Sequence, residues 1–498
     1  MRRLTLLLIT ISIFLYRAAE VRAASAATNN AEHVVLVVWD GLRPDSVTES
    51  STPTLYQLAR DGVFFQNHHS VYLSATEVNG TAMATGDYPN RSGIFANRDY
   101  RPAINPLQRV EIEAASTIAK GDEISGGHYL LRPTFPEILQ QMGQPVALAG
   151  SKPVAILFNR FDRAHITQPD NPRPKIPNTE TDAVTTRTLV ESRWKDGVPA
   201  FSLLWLSEPD ASQHSAGPGS STALQALKGS DDNLARLLKE LDARGLRSKT
   251  DVLVASDHGF STISRAVELD KVLTAAGFNA TREFKEPPKD GDVMVVGNGG
   301  SALLYVIGHD LRLIRQLVEF LQQQDFTGVI FTRTPMRGTF TLDQIRINTA
   351  NAPDIVVALR WWPDKSTTGL PGLLVNIGDA RGPGQGAHAS LSPFDMRATL
   401  VAAGPDFRRG MVDQLPSGNP DLAPTILHIL GLEPTQPLDG RVLVEALRAS
   451  SGSLPAVELQ TLEASNDLDK AIWHQYLRTT EFFRAIYFDE GNGSAISK

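Results

Sequence analysis

The stretch His33-Val-Val-Leu-Val-Val-Trp-Asp40-Gly41 is apolar without interruption, largely β-branched, and ends on an aspartate and a glycine. A strand wetted on one face alternates apolar and polar residues. An unbroken apolar run instead marks a strand covered on both faces, as in the parallel sheets of α/β proteins. Phe201–Leu206, Asp251–Ala255 and Ile355–Leu359 have the same character. Helical patterns separate these runs. The clearest covers 223–244, with Leu224, Leu227, Leu234, Leu237, Leu238 and Leu241 on one stripe and Gly245 placed to stop it. The alternation predicts a doubly wound α/β core with a mostly parallel sheet.

The residues that follow the strands carry the chemistry. The first strand runs into Asp40, the second into Ser207-Glu208-Pro209-Asp210 with His214 four residues on, and the third into Asp257-His258-Gly259. Ligands of open parallel sheets bind beyond the carboxyl ends of the strands. Carboxylates gathered there are costly to bury unless paired or metal-bound. The spacing of Asp210 and His214 lets one helical turn aim both at one ion. Asp257 and His258, as strand neighbours, reach one site only if the chain turns, which Gly259 permits. His388 stands in Gly-Ala-His-Ala-Ser after a glycine-rich approach; alone it reads equally as a surface-loop histidine.

Together these residues predict two clusters of oxygen and nitrogen ligands, suited to zinc or a similar divalent ion rather than calcium. Two such ions would clamp the attacking and leaving oxygens of a phosphoryl group. The missing part is a nucleophile, and a Ser or Thr held by a metal serves at neutral pH. Ser74 and Thr76 are the candidates, in Ser-Ala-Thr-Glu-Val-Asn-Gly, a small, glycine-punctuated stretch that reads as neither clean helix nor clean strand. Its small residues are read as what lets a hydroxyl approach a metal closely.

The rest of the chain bounds the class. Formal net charge is -7, which argues against a nucleic-acid partner. Cysteine is absent, so thiolate nucleophiles and zinc-thiolate sites are excluded. Residues 1–23 have the form of a secretory signal: Arg2 and Arg3, an apolar run from Leu4 to Tyr16 too short for an ordinary membrane span, then Val21-Arg22-Ala23. An exported protein without a retained membrane span is expected, an uncleaved N-terminal anchor being the alternative. The catalytic core is assigned to 31–268 and 387–449. An inserted α/β cap over the active edge is assigned to 269–386, built on Ser301–Ile307, Leu311–Gln324 and Gly328–Thr332. A C-terminal tail over 450–498 carries an amphipathic stretch, 467–488, read as a packing helix, with a partner-binding tail as the alternative. Nothing in the composition sets an oligomeric state.

Trp-Asp-Gly-Leu-Arg-Pro-Asp, Ser-Ala-Thr-Glu-Val-Asn-Gly, Ser-Glu-Pro-Asp-Ala-Ser-Gln-His, Ser-Asp-His-Gly-Phe and Gly-Ala-His-Ala-Ser, in this order, resemble the alkaline phosphatase superfamily. Within it the chain is most similar to the nucleotide pyrophosphatase/phosphodiesterase branch. The resemblance implies an alkaline phosphatase-like fold and hydrolysis of phosphodiester or nucleotide pyrophosphate-type bonds in small-molecule phosphate esters, through a phospho-threonine on Thr76. It implies one zinc on Asp210, His214 and His388, and a second on Asp40, Asp257, His258 and the Thr76 oxygen. It also implies that Asn79 donates a hydrogen bond to a phosphate oxygen; a turn or capping asparagine is the plainer reading. Arg43 reads as a structural ion pair.

The chain departs from the pattern at Glu77, which stands where the family has the aromatic of its nucleotide-base slot, and at Gln213, in place of a glycine. A carboxylate pointing inward beside the phosphate disfavours polyanionic nucleotides. A phosphomonoesterase or phosphonate hydrolase on the same scaffold, and an inactive exported binding protein, are the competing readings. A monoesterase needs extra positive charge at the phosphate, and no Lys or Arg adjoins Thr76 in sequence.

Overall fold

Strand His33–Trp39 lies inside an eight-stranded sheet of order Met411–Asp413, Val63–Phe65, Leu400–Ala403, Thr250–Ala255, His33–Trp39, Phe201–Leu206, Val146–Gly150, His165–Ile166. The computed structural model describes residues 21–23, 30–160, 165–167, 176–377, 380–434, 436–449 and 453–498. The five strands from Thr250–Ala255 to His165–Ile166 run parallel. Leu400–Ala403 pairs antiparallel with Thr250–Ala255. The register sets Val38 opposite both Ala255 and Trp205, so the strands end level and release their next residues along one edge.

The unbroken apolar run has the predicted cause. Val34, Leu36 and Val38 pack into a core with Met83 and Ala84, Phe135 and Leu139, and Leu422 and Ile426. Val35, Val37 and Trp39 face the other way, onto Leu227, Leu234, Leu237 and Leu241 of helix Ser221–Ala243. All six strand residues are fully buried. At roughly 1.5–3 kcal/mol for each large apolar side chain removed from water, this strand alone anchors both helical layers.

Ile355–Leu359 is not a core strand. It lies in a second, six-stranded sheet, antiparallel to both Ser301–Val306 and Thr327–Thr332. Its apolar run is continuous because this sheet too is covered twice, Val356 and Ala358 on one side, Ile355 and Val357 on the other. The core strands it displaces from the sequence reading are Val146–Gly150 and Leu400–Ala403, short and alanine-rich. The six-stranded sheet carries helix Leu311–Leu321 between Ser301–Val306 and Thr327–Thr332.

The expected C-terminal helix is three antiparallel strands: Glu458–Asp467, Ala471–Phe482 and Ala485–Ser497. Trp473, Gln475, Leu477 and Thr479 are buried at alternate positions, the period of a strand. The Gln475 amide clasps the adjoining sheet, accepting from Ile330 N at 2.9 Å and donating to Ile330 O at 3.2 Å. The export signal falls mostly outside the described residues. Of it, Val21–Ala23 pairs antiparallel with Leu432–Pro434. Among the described residues no helix is long and apolar enough to cross a membrane.

Candidate active site

Thr76 opens helix Thr76–Thr85, so the stretch that read as neither helix nor strand is a helix, and all ten of its residues are buried. Its small residues have a packing cause. A Cβ on Gly80 would stand 2.7 Å from Val154 Cγ2 and 3.2 Å from Trp205, so the helix can lie this close to the sheet only with glycine there. Thr76 takes the first helical position, where the positive end of the helix dipole favours a developing anion. Its Oγ1 lies 3.3 Å from His258 Nε2. Ser74 is otherwise occupied: its hydroxyl donates to Ser390 O and its carbonyl accepts from His388 Nδ1.

Asp210 and His214 fall on the first and second turns of helix Asp210–Ala216. His214 Nε2 is 3.2 Å and His388 Nε2 3.6 Å from Asp210 Oδ1. On the other side His258 Nε2 is 3.1 Å from Asp257 Oδ2 and 3.8 Å from Asp40 Oδ1. The rings of His258 and His388 stack at 3.7 Å. Asp210, His214 and His388 form one group of converging ligand atoms, and Asp40, Asp210 and His258 another, so Asp210 belongs to both.

These side chains fit divalent cations. Each histidine presents Nδ1 to a backbone carbonyl: His214 to Gly386, His258 to Gly259, His388 to Ser74. A carbonyl only accepts, so the proton sits on Nδ1 and the Nε2 lone pair faces inward. The carboxylates are turned in a complementary way. Asp40 Oδ2 accepts from Trp205 Nε1 and Lys152, Asp210 Oδ2 from Lys152, and Asp257 Oδ1 from Gly41 N. Asp40 Oδ1, Asp210 Oδ1 and Asp257 Oδ2 are buried with no donor among the described residues. Acceptors therefore face acceptors, which a cation resolves. Burial, then neighbouring Asp257, pushes the Asp40 carboxyl well up. Burial also raises Asp210, but the Lys152 ammonium leads the interactions that outweigh it and hold the group at about 2. Burial presses His388 well below its usual value, into the neutral form a ligand needs.

Asn79 is not brought to this site. It is fully buried, with Nδ2 donating to the carbonyls of Val71, Leu73 and Ala75 and Oδ1 accepting from Val71 N and Asn419. The expected phosphate contact is thereby corrected: the amide is consumed in holding the turn ahead of Thr76. Asn97 lines the cavity with Thr76, and its Oδ1 accepts from Glu77 N, leaving the amide nitrogen as the donor on that side. Arg43 is structural, binding Asp45 and the carbonyls of Phe260 and Pro371.

Lys152 escaped the sequence reading. Its Nζ lies 3.0 Å from Asp40 Oδ2 and 2.7 Å from Asp210 Oδ2, joining the two ligand groups from behind. It follows strand Val146–Gly150, so the rule that ligands gather at carboxyl ends applies to it once that strand is recognised. The cavity in front of Thr76, about 250 Å³, is lined by Lys152, Asp210, His214 and His388 and also by Glu77, Glu111 and Glu113.

A doubly wound α/β sheet with aspartates and histidines along its carboxyl edge defines an alkaline phosphatase-like domain. Solved structures agree: murine ectonucleotide pyrophosphatase/phosphodiesterase 5, as an inactive variant in complex with AMP, superposes with a TM-score of 0.60 at 20% identity, covering 84% of this chain and 100% of that one. The human counterpart gives 0.60 at 19% identity, with the same coverage of both chains. The profile of the type I phosphodiesterase / nucleotide pyrophosphatase family matches residues 34–327, and the chain belongs to that family. Among its relatives, venom phosphodiesterase CdcPDE of Crotalus durissus collilineatus is 27% identical over 46% of this chain and 26% of its own length. The mouse bis(5'-adenosyl)-triphosphatase enpp4 is 23% identical over 82% of this chain and 80% of its own. Human ectonucleotide pyrophosphatase/phosphodiesterase family member 1 is 26% identical over 48% of this chain. The chain spans about a quarter of the length of the venom and human relatives.

Proposed function

We propose that the protein is an exported, metal-dependent phosphodiesterase acting on small-molecule phosphate esters, with Thr76 as nucleophile. The observation that carries this reading is the place of Thr76 Oγ1: on a helix N-terminus, 3.3 Å from His258 Nε2, at the cavity lined by the ligand groups. Asp210, His214 and His388 would hold one divalent cation and Asp40, Asp257, His258 and Thr76 a second, zinc by their nitrogen and oxygen donors. When bound, such ions supply Lewis-acid stabilisation of phosphoryl oxygens and ease loss of the threonine proton.

The chain's own residues supply the rest. Thr76 Oγ1 forms a bond to phosphorus as the bond to the leaving oxygen breaks, and water then cleaves the phospho-threonine, returning the hydroxyl. The helix N-terminus and the Asn97 amide favour the charge on the non-bridging oxygens. Lys152, raised by the charges of Asp210 and Asp40 despite its burial, stays protonated and fixes both carboxylates. The pattern of residues 1–23 supports export.

A second reading, a phosphomonoesterase or phosphonate hydrolase on the same scaffold, is favoured by Lys152, which supplies at the cavity the cation that the neighbourhood of Thr76 in sequence lacks. The test compares wild type and Thr76→Ala on bis(4-nitrophenyl) phosphate and 4-nitrophenyl phosphate, with metal content measured on both proteins. Expected are faster turnover of the diester and a loss of roughly 10³-fold or more in the variant, the scale of removing a nucleophile. Undiminished turnover in a folded Thr76→Ala removes Thr76 from the role; a faster monoester selects the second reading.

A further inference from the structure

Glu77 follows Thr76 directly, so their Cα atoms are about 3.8 Å apart. Its side chain is 6% exposed and lines the same cavity, pointing inward. Glu113 lines the cavity beside it, close enough for the two carboxyls to meet. Neither Glu77 Oε2 nor Glu113 Oε2 has a hydrogen-bond donor among the described residues. The other carboxylates on the wall are engaged: Glu111 with Arg98 at 2.8 Å, and Asp210 with Lys152 at 2.7 Å.

The two carboxyls are hydrogen-bonded to each other, but each still holds a buried Oε2 without a donor among the described residues, which is costly. The group that relieves them carries positive charge and several N–H donors on one centre. A quaternary ammonium has the charge without the donors. A divalent cation such as calcium takes six or more oxygens, which this pair does not offer. A polyphosphate would meet this pair as like charge. The cavity carries both signs: Lys152, Arg98 and Arg381 line it together with the acidic side chains, and the carboxyl pair stands one residue beyond the nucleophile.

We propose that Glu77 and Glu113 form a subsite for a primary ammonium group, so that the preferred substrates are phosphodiesters of an amino alcohol with a two- or three-carbon tether between oxygen and nitrogen. This rests on the phosphodiesterase reading and names its substrate class.

The test measures kcat/KM for three 4-nitrophenyl phosphodiesters whose second alcohol is 2-aminoethanol, n-propanol or choline. Wild type is expected to favour the aminoethyl ester over both others by roughly tenfold or more, the discrimination of a site whose buried acceptors need a donor. Glu77→Gln and Glu113→Gln, each measured on the same series, are expected to reduce that preference at least several-fold. If wild type hydrolyses the propyl or choline ester as well as the aminoethyl ester, the subsite is refuted while the phosphodiesterase reading stands; the pair then merely shares a proton. A preference that survives in both variants refutes the assignment to these residues. If none of the three esters is hydrolysed by metal-loaded protein, both readings fall together.

Discussion

Asn79 and Asn97 are chemically identical and do opposite work. The Asn79 amide makes three donor contacts to backbone carbonyls and accepts from Val71 N and Asn419, all in a fully buried pocket. Asn79→Ala strands those groups away from water, at about 1–3 kcal/mol for each one left unsatisfied. A lowered Tm is therefore expected. Asn97 sits at the cavity wall with one backbone donor to satisfy. Asn97→Ala is expected to lower kcat/KM by about 10-fold or more, the scale of losing one preorganised donor, while Tm falls far less than in Asn79→Ala. Thermal melts and steady-state kinetics on the two variants check the contrast; a stable, inactive Asn79→Ala would reverse the assignment. The sequence points to the wrong asparagine because Asn79 lies one turn from Thr76. What consumes its amide comes largely from the turn ahead of the helix and from distant Asn419, and nearness in sequence does not report either.

At the level of the element, the C-terminal strands show how a polar buried face hides its period. Gln475 and Thr479 point inward with Trp473 and Leu477, so the alternation is not one of apolar with polar residues. Apolar Trp473 and Leu477, four apart, then mimic a helical stripe. Gln475 is tolerated inside because both ends of its amide bond Ile330. Gln475→Ala leaves the Ile330 N–H and carbonyl unpaired, and a loss of about 1–3 kcal/mol in urea unfolding is expected. An unchanged midpoint would mean that this sheet is only loosely attached. Helix Thr76–Thr85 hides for a related reason: with every side buried it has no polar face, and so no amphipathic period to read.

For the whole molecule, one of the groups through which pH acts on stability lies at the end of the sheet opposite the site. Asp251, early in strand Thr250–Ala255, accepts from Asp406 N, and burial followed by the Asp406 charge pushes its carboxyl up to about 8. An unfolded aspartate titrates near about 4. Between those values the folded protein holds a proton that the unfolded chain has released, so stability falls as pH rises through that window and levels off above it. Asp251→Asn keeps an acceptor oxygen without the charge. Its Tm is expected to decline less between pH 5 and pH 8 than that of wild type, and parallel declines would remove Asp251 as the cause.

The doubly wound core was legible because covering a strand on both faces demands an unbroken apolar run, a property written locally in 33–39 and 201–206. The gathering of Asp40, Asp210 and Asp257 was legible for the same reason: each follows such a strand, and level strand ends place their next residues together. Tertiary structure alone decided which strands share a sheet, since Ile355–Leu359 satisfies the local condition as well in the second sheet as it would in the first. It alone brought Lys152 between Asp40 and Asp210 and turned Glu77 inward against Glu113. Those contacts join residues far apart in the chain, where charge pairing and burial, rather than local pattern, set the partner.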